Sequence, residues 1–129
     1  MSINNTIFVG KILQHFDAVN STNFAAAEWL KQNEHKLKNT EGVVFSTFNQ
    51  TAGRGQLGNG WECAPDENIA ISILLRPHFL ADREQFLLNK VVALAAHDFV
   101  SAFLDNVKLK WANDIYVNDK KIAGILIQN

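Results

Sequence analysis

Apolar and polar positions in the first half of the chain follow two different periods, which predicts both strands and a helix. Residues 43–48 are mostly β-branched or aromatic and predict a strand. Residues 24–30 are apolar and Ala-rich and follow several N-cap candidates in 20–23, so they predict a helix. In residues 68–75, Ile and Leu occupy one face while Ala, Ser and Leu occupy the other. We therefore expect a strand that is buried on both faces.

The second half continues the mixed pattern with a long helix and a three-strand run. Residues 82–104 predict the helix, because apolar residues recur there at intervals of three or four. The predicted inward stripe consists of Leu88, Val92, Ala95, Phe99 and Phe103. Residues 107–111 alternate with lysines and predict a half-buried strand. The pair Asn118-Asp119 then separates 115–117 from 120–127 and predicts a hairpin.

Composition limits the size, compartment and partners of the chain. Its 129 residues suit one domain or a part of one. With 12 basic and 13 acidic residues the net charge is −1, which gives no electrostatic reason to expect nucleic-acid or membrane binding. The single Cys63 excludes an intrachain disulfide, and residues 1–6 lack the basic and apolar regions of a secretory signal. We expect a cytoplasmic protein.

Four of the seven glycines fall within eight residues, at positions 53, 55, 58 and 60. The segment matches G-x-G-x-x-G, but a dinucleotide site needs a helix to begin there, and Pro65 and the next strand argue against one. The Gly-Lys-Ser/Thr of a P-loop is absent, and so is the lysine that follows a kinase loop. Two interpretations stay open: a flexible hairpin, or a lid in which Arg54 and Trp61 cover an anionic ligand.

Two charged residues near the end of the chain are candidates for chemistry. Lys121 shares its strand parity with apolar residues, so it is either an edge lysine that reaches water or a cation aimed into an anion pocket. Lys108 and Lys110 are expected on a solvated face. Asp114 could hold Mg²⁺ together with phosphate oxygens. The four histidines are scattered and predict no structural metal site.

Three segments, in order, resemble the catalytic domain of biotin protein ligases. They are Asn20-Ser21-Thr22-Asn23, then Gln50-Thr51-Ala52-Gly53-Arg54-Gly55-Gln56-Leu57-Gly58-Asn59-Gly60-Trp61, then Lys110-Trp111-Ala112-Asn113-Asp114 running through Lys121-Ile122-Ala123-Gly124-Ile125-Leu126. The resemblance implies a mixed, mostly antiparallel sheet flanked by helices (α/β, α+β), as in class II aminoacyl-tRNA synthetases. It also implies synthesis of biotinyl-5′-adenylate from biotin and ATP with Mg²⁺, and transfer of biotin to a lysine of a biotin carboxyl carrier domain.

The same resemblance assigns residues to these tasks. Arg54 and Lys121 would be catalytic, and Asp114 would hold Mg²⁺. The biotin-binding residues would be Ser21, Thr22, Asn23, Gln50, Gly53, Arg54, Gly55 and Lys121. The nucleotide-binding residues would be Arg54, Gly55, Gln56, Gly58, Trp61 and Asn113. Arg54 and Lys121 are expected to face one cavity.

Several positions depart from the family pattern. Gln56 stands where many members have a second arginine, and Ala112 where they have proline. Members also continue through further strands and a small β-barrel, so residues 1–129 are expected to be one partial catalytic domain with weak or no turnover alone. The apolar final segment predicts self-association, with a possible homodimer. The alternatives are a lipoate or octanoyl ligase or transferase, and a non-catalytic relative.

Overall fold

A computed structural model describes residues 5–33, 35 and 40–129 of the chain. These residues form two compact units, Met1–Arg76 and Pro77–Asn129, each of which is considered by itself. The prediction about a secretory signal rests in part on residues 1–4, which lie outside the described residues. Within the described ranges, no helix combines the length and apolar character that crossing a membrane requires.

The first unit is built around a three-stranded mixed sheet. Its elements are β1 (Leu13–Phe16), α1 (Thr22–Gln32), β2 (Val44–Thr47), β3 (Gly53–Arg54), β4 (Gly60–Trp61) and β5 (Ala70–Ile73). The sheet order is β1-β2-β5, with β1 parallel and β5 antiparallel to β2. Strands β3 and β4 pair separately as a short antiparallel hairpin around a 3₁₀ turn at Gln56–Gly58.

The core of this unit lies between α1 and the central strand β2. All four residues of β2 are buried, as the β-branched and aromatic composition of the segment predicts. Phe45 is fully buried and meets Trp29 of α1 edge-on, with 5.9 Å between ring centroids. Val43 and Ala26 complete the buried cluster.

The expectation that residues 68–75 form a strand buried on both faces is wrong. In β5, Ser72 is 7% exposed, whereas Ile71 and Ile73 are 51% and 46% exposed. The face of β5 that carries Ser72 packs toward α1, whereas Ile71 and Ile73 project from the opposite face. The polar member of the strand therefore faces the interior of the unit and the large apolar members face outward.

The second unit is an antiparallel meander packed against one long helix. Its elements are α2 (Gln85–Ser101), β6 (Val107–Lys110), β7 (Asp114–Val117) and β8 (Lys120–Gly124), with a 3₁₀ turn at Asp82–Glu84 before α2. The strand order is β6-β7-β8, and α2 packs on β6 and β7. The turn residues Asn118 and Asp119 have φ values of 47° and 64°, a conformation that Asn and Asp tolerate better than most residues. The predicted hairpin is confirmed, but its second strand ends at Gly124 and does not extend over 125–127.

The inward face of α2 differs from the predicted stripe. Ala93 is fully buried, whereas Ala95, Phe99 and Phe103 are exposed. Because α2 carries apolar residues around most of its circumference, periodicity alone does not select the face that packs. The predicted mixed α and β class is confirmed, with a mixed sheet, antiparallel sheets and two α-helices in the described residues.

Candidate substrate-binding site

The N-terminus of α1 is capped by Ser21, one of the predicted site residues. Ser21 has an extended backbone (φ −155°, ψ 134°), and its Oγ accepts a hydrogen bond from the Phe24 N–H at 3.4 Å. A serine at this position satisfies a backbone donor that would otherwise have no partner inside the helix. The Ser21 hydroxyl therefore has a structural task at the start of the helix.

Backbone hydrogen bonds bring residues 49–52 beside the chain that enters α1. The Val19 N–H donates to Asn49 O at 3.1 Å, the Thr51 N–H donates to Val19 O at 2.9 Å, and the Ala52 N–H donates to Asn20 O at 2.7 Å. These bonds hold Gln50 next to the first turn of the helix. The two sequence segments of the predicted site are thus joined by backbone hydrogen bonds as well as by their side chains.

Four polar side chains then form what we call the hydroxyl–amide cluster: Thr22, Asn23, Gln50 and Ser72. The Thr22 backbone N–H donates to Gln50 Oε1 at 2.9 Å, and Thr22 Oγ1 lies 3.4 Å from the same oxygen. Ser72 Oγ lies 2.8 Å from Thr22 Oγ1 and also hydrogen-bonds the Asn23 side chain. The cluster carries no formal charge and draws on three separate segments of the chain.

Ser72 is a member of this cluster that the sequence analysis did not single out. It lies on β5, on the face that packs toward α1, and is buried. The available signal was its place as the one hydroxyl among the Ile, Leu and Ala residues of 69–75. A buried hydroxyl in such a strand needs a hydrogen-bond partner, and the partners here are site residues.

Gly53 lies where the glycine-rich hairpin meets the hydroxyl–amide cluster. It is directly opposite Trp61 in the β3–β4 pair. A Cβ atom built on Gly53 would lie 2.5 Å from Trp61 O and 2.5 Å from Gln50 Nε2, so the position has no room for a side chain. The segment is a tight hairpin with a three-residue 3₁₀ turn, and no long helix opens there. This agrees with the exclusion of a dinucleotide-binding loop.

The other predicted residues of the hairpin differ in what they can offer a ligand. Arg54 and Gln56 are exposed, so their side chains are accessible. The Gly55 N–H donates to Asn59 O at 2.7 Å and is thus used within the hairpin.

Trp61 is half-buried, and its indole N–H lies 2.8 Å from Cys63 Sγ. The ring face of Trp61 is the part suited to covering a ligand. Gly58, with φ +79°, gives the turn its left-handed step.

Lys121 lies on a different face of the meander from the one that its sequence parity predicts. Tyr116 pairs with Lys121 and Ile115 pairs with Ala123, so Ile122 is an extra residue that forms a β-bulge. A bulge shifts the alternation of side chains by one position. Lys121 therefore shares the face of Asp114 and Tyr116, and its Nζ lies 2.8 Å from Asp114 Oδ1. The prediction from simple alternation, which places Lys121 on the same face as the apolar residues of the strand, is wrong.

Asn113, predicted to bind nucleotide, fastens the end of β8 to the start of β7. Its side-chain N–H donates to Ile125 O at 3.0 Å, and its own carbonyl accepts the Ile125 N–H at 2.8 Å. These two bonds hold the bulged strand beside Asp114. Lys108 and Lys110 are exposed, as predicted for a solvated face.

Asp114 is not grouped with other metal-ligating side chains in the described residues, and its role in holding Mg²⁺ together with phosphate oxygens stays a prediction. Across residues 5–33, 35 and 40–129, no three His, Cys, Asp or Glu residues are grouped closely enough to hold one. The carboxylate of Asp114 is already engaged by the Lys121 ammonium. Arg54 and Lys121 belong to different units, and the expectation that they face one cavity stays a prediction. So do the individual ligand-binding roles.

Residues 16–129 match the biotin/lipoate A/B protein ligase family. The match covers most of the chain, so the chain belongs to this family. Among curated relatives, it is 32% identical over 124 residues to the bifunctional ligase/repressor BirA of Bacillus subtilis, covering 95% of this chain and 36% of the relative. It is 33% identical over 92 residues to the biotin–[acetyl-CoA-carboxylase] ligase of Mycobacterium tuberculosis, covering 68% of this chain and 35% of the relative.

Solved structures of biotin ligases share the fold. The biotin protein ligase from Leishmania major in complex with biotinyl-5-AMP is similar with a TM-score of 0.75 and 25% identity, over 92% of this chain and 52% of the other. The biotin acetyl coenzyme A carboxylase synthetase from Helicobacter pylori with bound biotinylated ATP has a TM-score of 0.67 and 29% identity, over 91% and 54%. The chain thus spans about half the length of these structures and about a third of the curated relatives. The resemblance to biotin protein ligases is confirmed.

Proposed function

We propose that this chain is the part of a biotin protein ligase that binds biotin and ATP. In the first step, a carboxylate oxygen of biotin attacks the α-phosphorus of ATP, and the bond to pyrophosphate breaks. In the second, the neutral amine of a lysine on a biotin carboxyl carrier domain attacks the acyl carbon. The C–O bond to AMP breaks, and the amine gives its proton to solvent. Relatives that carry biotinyl-5-AMP and biotinylated ATP support this order of events.

The observation that carries the proposal is the hydroxyl–amide cluster. The ureido ring of biotin has two N–H donors and one carbonyl acceptor, and uncharged hydroxyl and amide side chains complement such a ring. Thr22, Gln50 and Ser72 supply groups of this kind from three separate segments. A lipoyl or octanoyl group has no ureido ring, so the cluster favours biotin over the alternative acyl substrates.

We assign the anionic parts of the substrates to the two candidate cations. Lys121 would bind the biotin carboxylate, and Arg54 would stabilise negative charge at the phosphate. Because the substrate carboxylate is itself the nucleophile, the chain needs to supply position and charge stabilisation rather than a nucleophilic side chain. Trp61, with Gly55, Gln56, Gly58 and Asn113, would contact the nucleotide. We regard Mg²⁺ as an ion that enters with ATP and neutralises its phosphates.

Calorimetry with biotin and lipoate tests the proposal on the 129-residue chain. We expect biotin to bind at least tenfold more tightly than lipoate. Gln50→Ala should weaken biotin binding by about 10- to 100-fold, the effect of losing a half-buried hydrogen-bonding partner. Gln14→Ala, at an exposed position of β1, is the matched control and should bind as the wild type does. Equal or tighter binding of lipoate would contradict the proposal.

Two further parts of the proposal concern partners. Transfer to a biotin carboxyl carrier domain is measured with labelled biotin. The 129-residue chain should give only weak transfer, which Lys121→Met should reduce further, while Lys120→Met, at the neighbouring position on the opposite face, should not. A homodimer is a second proposal, because the exposed edge of β8 is able to pair with another chain. Sedimentation equilibrium should show concentration-dependent association, and a strictly monomeric profile would contradict it.

A further inference from the structure

We propose that Asp114 is a positioning residue that holds the Lys121 ammonium ready for the carboxylate of the acyl substrate. This inference rests on the proposed function and assigns Asp114 a different task from the metal ligation that the sequence implies. Asp114 Oδ1 lies 2.8 Å from Lys121 Nζ. An ammonium carries three N–H donors, so it can hold a protein carboxylate and an anionic ligand simultaneously.

The burial of the two partners is unequal. The Asp114 side chain is 17% exposed and that of Lys121 is 34% exposed. Asp114 Oδ1 is buried, and the Lys121 ammonium 2.8 Å away stabilises its negative charge in place of water. Removing the partner of a buried charge is strongly unfavourable. Asp114 therefore restrains Lys121, while the ammonium stays close to solvent.

Two features of β8 make this pairing possible. The bulge at Ile122 turns Lys121 onto the face of Asp114, as described above. Gly124 lies directly opposite Asp114 in the register and has no side chain. Lys121 is opposite Tyr116, two positions away on β7, so its side chain can extend along β8 past the glycine. A larger residue at position 124 would project from the same face, next to the carboxylate.

The restraint has a physical consequence for binding. A free lysine side chain has high rotamer entropy, and fixing it on a ligand costs part of the binding energy. A lysine that the protein already holds in place avoids most of this cost. The opposite reading is that Asp114 competes with the ligand for Lys121, in which case removing its charge would strengthen carboxylate binding. When the charge of Asp114 is removed, the first interpretation predicts weaker carboxylate binding and the second predicts stronger carboxylate binding.

The same hairpin contains a matched control. Lys108 Nζ lies 2.9 Å from Asp119 Oδ1, nearly the same distance, but the two side chains are 64% and 85% exposed. Exposed ion pairs of this kind contribute little. Asp119→Asn therefore removes the same charge from the same supersecondary structure without disturbing the buried pair.

The test compares biotin with biotinol, the uncharged alcohol analogue, by calorimetry on the 129-residue chain. The ratio of the two affinities measures how much the carboxylate group contributes to binding. We expect Lys121→Met to remove the preference for biotin, Asp114→Asn to reduce it about tenfold, and Asp119→Asn to leave it unchanged. Biotinol affinity should stay the same in all three variants, whereas a general structural defect would lower it.

Every outcome is decisive. If Asp114→Asn keeps or increases the preference while Lys121→Met loses it, the inference is wrong and the proposed function stands. If the wild type does not distinguish biotin from biotinol, the assignment of the biotin carboxylate to Lys121 fails and the inference fails with it, whereas the comparison with lipoate still tests the proposed function. Should Asp114→Asn not fold, Gly124→Val keeps both charges and obstructs the path of Lys121. It should cause the same loss of preference, and an unchanged preference in that variant would overturn the inference.

Discussion

Gly53→Ala is the substitution that most directly probes how the glycine-rich hairpin is joined to the hydroxyl–amide cluster. The new methyl group would lie 2.5 Å from Trp61 O, whereas ordinary contact begins near 3.4 Å, so the carbonyl would have to move by about 0.9 Å. That carbonyl belongs to the strand directly opposite, so the β3–β4 pair must shift as a whole. The methyl group would also displace Gln50 Nε2, which lies 2.5 Å away.

Overpacking of this kind costs about 1–3 kcal/mol. We therefore expect Gly53→Ala to lower the melting temperature by several °C, as measured by circular dichroism. Because Gln50 Oε1 is bonded to the Thr22 N–H, its displacement should also weaken biotin binding about tenfold. The two effects arise from the same contact and should appear together.

Gly60→Ala is the control within the same hairpin. A Cβ atom at Gly60 meets nothing within 4 Å, and the residue does not have a left-handed backbone. Alanine there should be neutral or should stabilise the chain by about 0.4–1 kcal/mol, because it restricts the unfolded state. If Gly53→Ala melts and binds biotin as Gly60→Ala does, the described junction between hairpin and cluster is wrong.

Three further substitutions test separate parts of the account. Ser21→Ala removes the N-cap of α1 and should destabilise the chain by about 0.5–2 kcal/mol in urea unfolding, and an unchanged midpoint would exclude the capping role. Gln56→Arg adds a second cation to an exposed hairpin position and should tighten binding of a non-hydrolysable biotinyl-adenylate analogue about 3- to 10-fold at low salt, less at high salt, while Gln56→Met should not. Leu57→Asn should stabilise the hairpin by up to about 1 kcal/mol, because Leu57 has φ +56° and is fully exposed; lower stability in thermal melts would refute this.

Local signals in the sequence predicted the elements whose structure depends on near neighbours. The polar segment before α1 contains the cap at Ser21, and the Asn118-Asp119 pair forms the turn of the β7–β8 hairpin. Both follow from the conformational preferences of single residues. The family motifs also marked Thr22, Asn23 and Gln50, three of the four members of the hydroxyl–amide cluster.

Features that depend on tertiary pairing were not predictable in the same way. The predicted face of Lys121 was wrong because strand parity assumes that side chains alternate without interruption. The bulge at Ile122 interrupts the alternation, and it appears only when β8 is paired with β7. The predicted packing face of α2 was wrong because apolar residues lie on most sides of this helix, so the sequence does not show which side is buried. Ser72 was missed because a serine in an apolar strand can be recognised as a site residue only when its hydrogen-bond partners on α1 are known.

Chemical-shift mapping on the labelled chain, titrated with biotin, tests the central claim most directly. The account predicts that the shifted backbone amides cluster at Thr22, Asn23, Gln50 and Ser72 in the first unit and around Lys121 in the second. It also predicts that biotinol reproduces the first set of shifts and loses the second. Shifts confined to other parts of the chain, or identical responses to biotin and biotinol around Lys121, would contradict it.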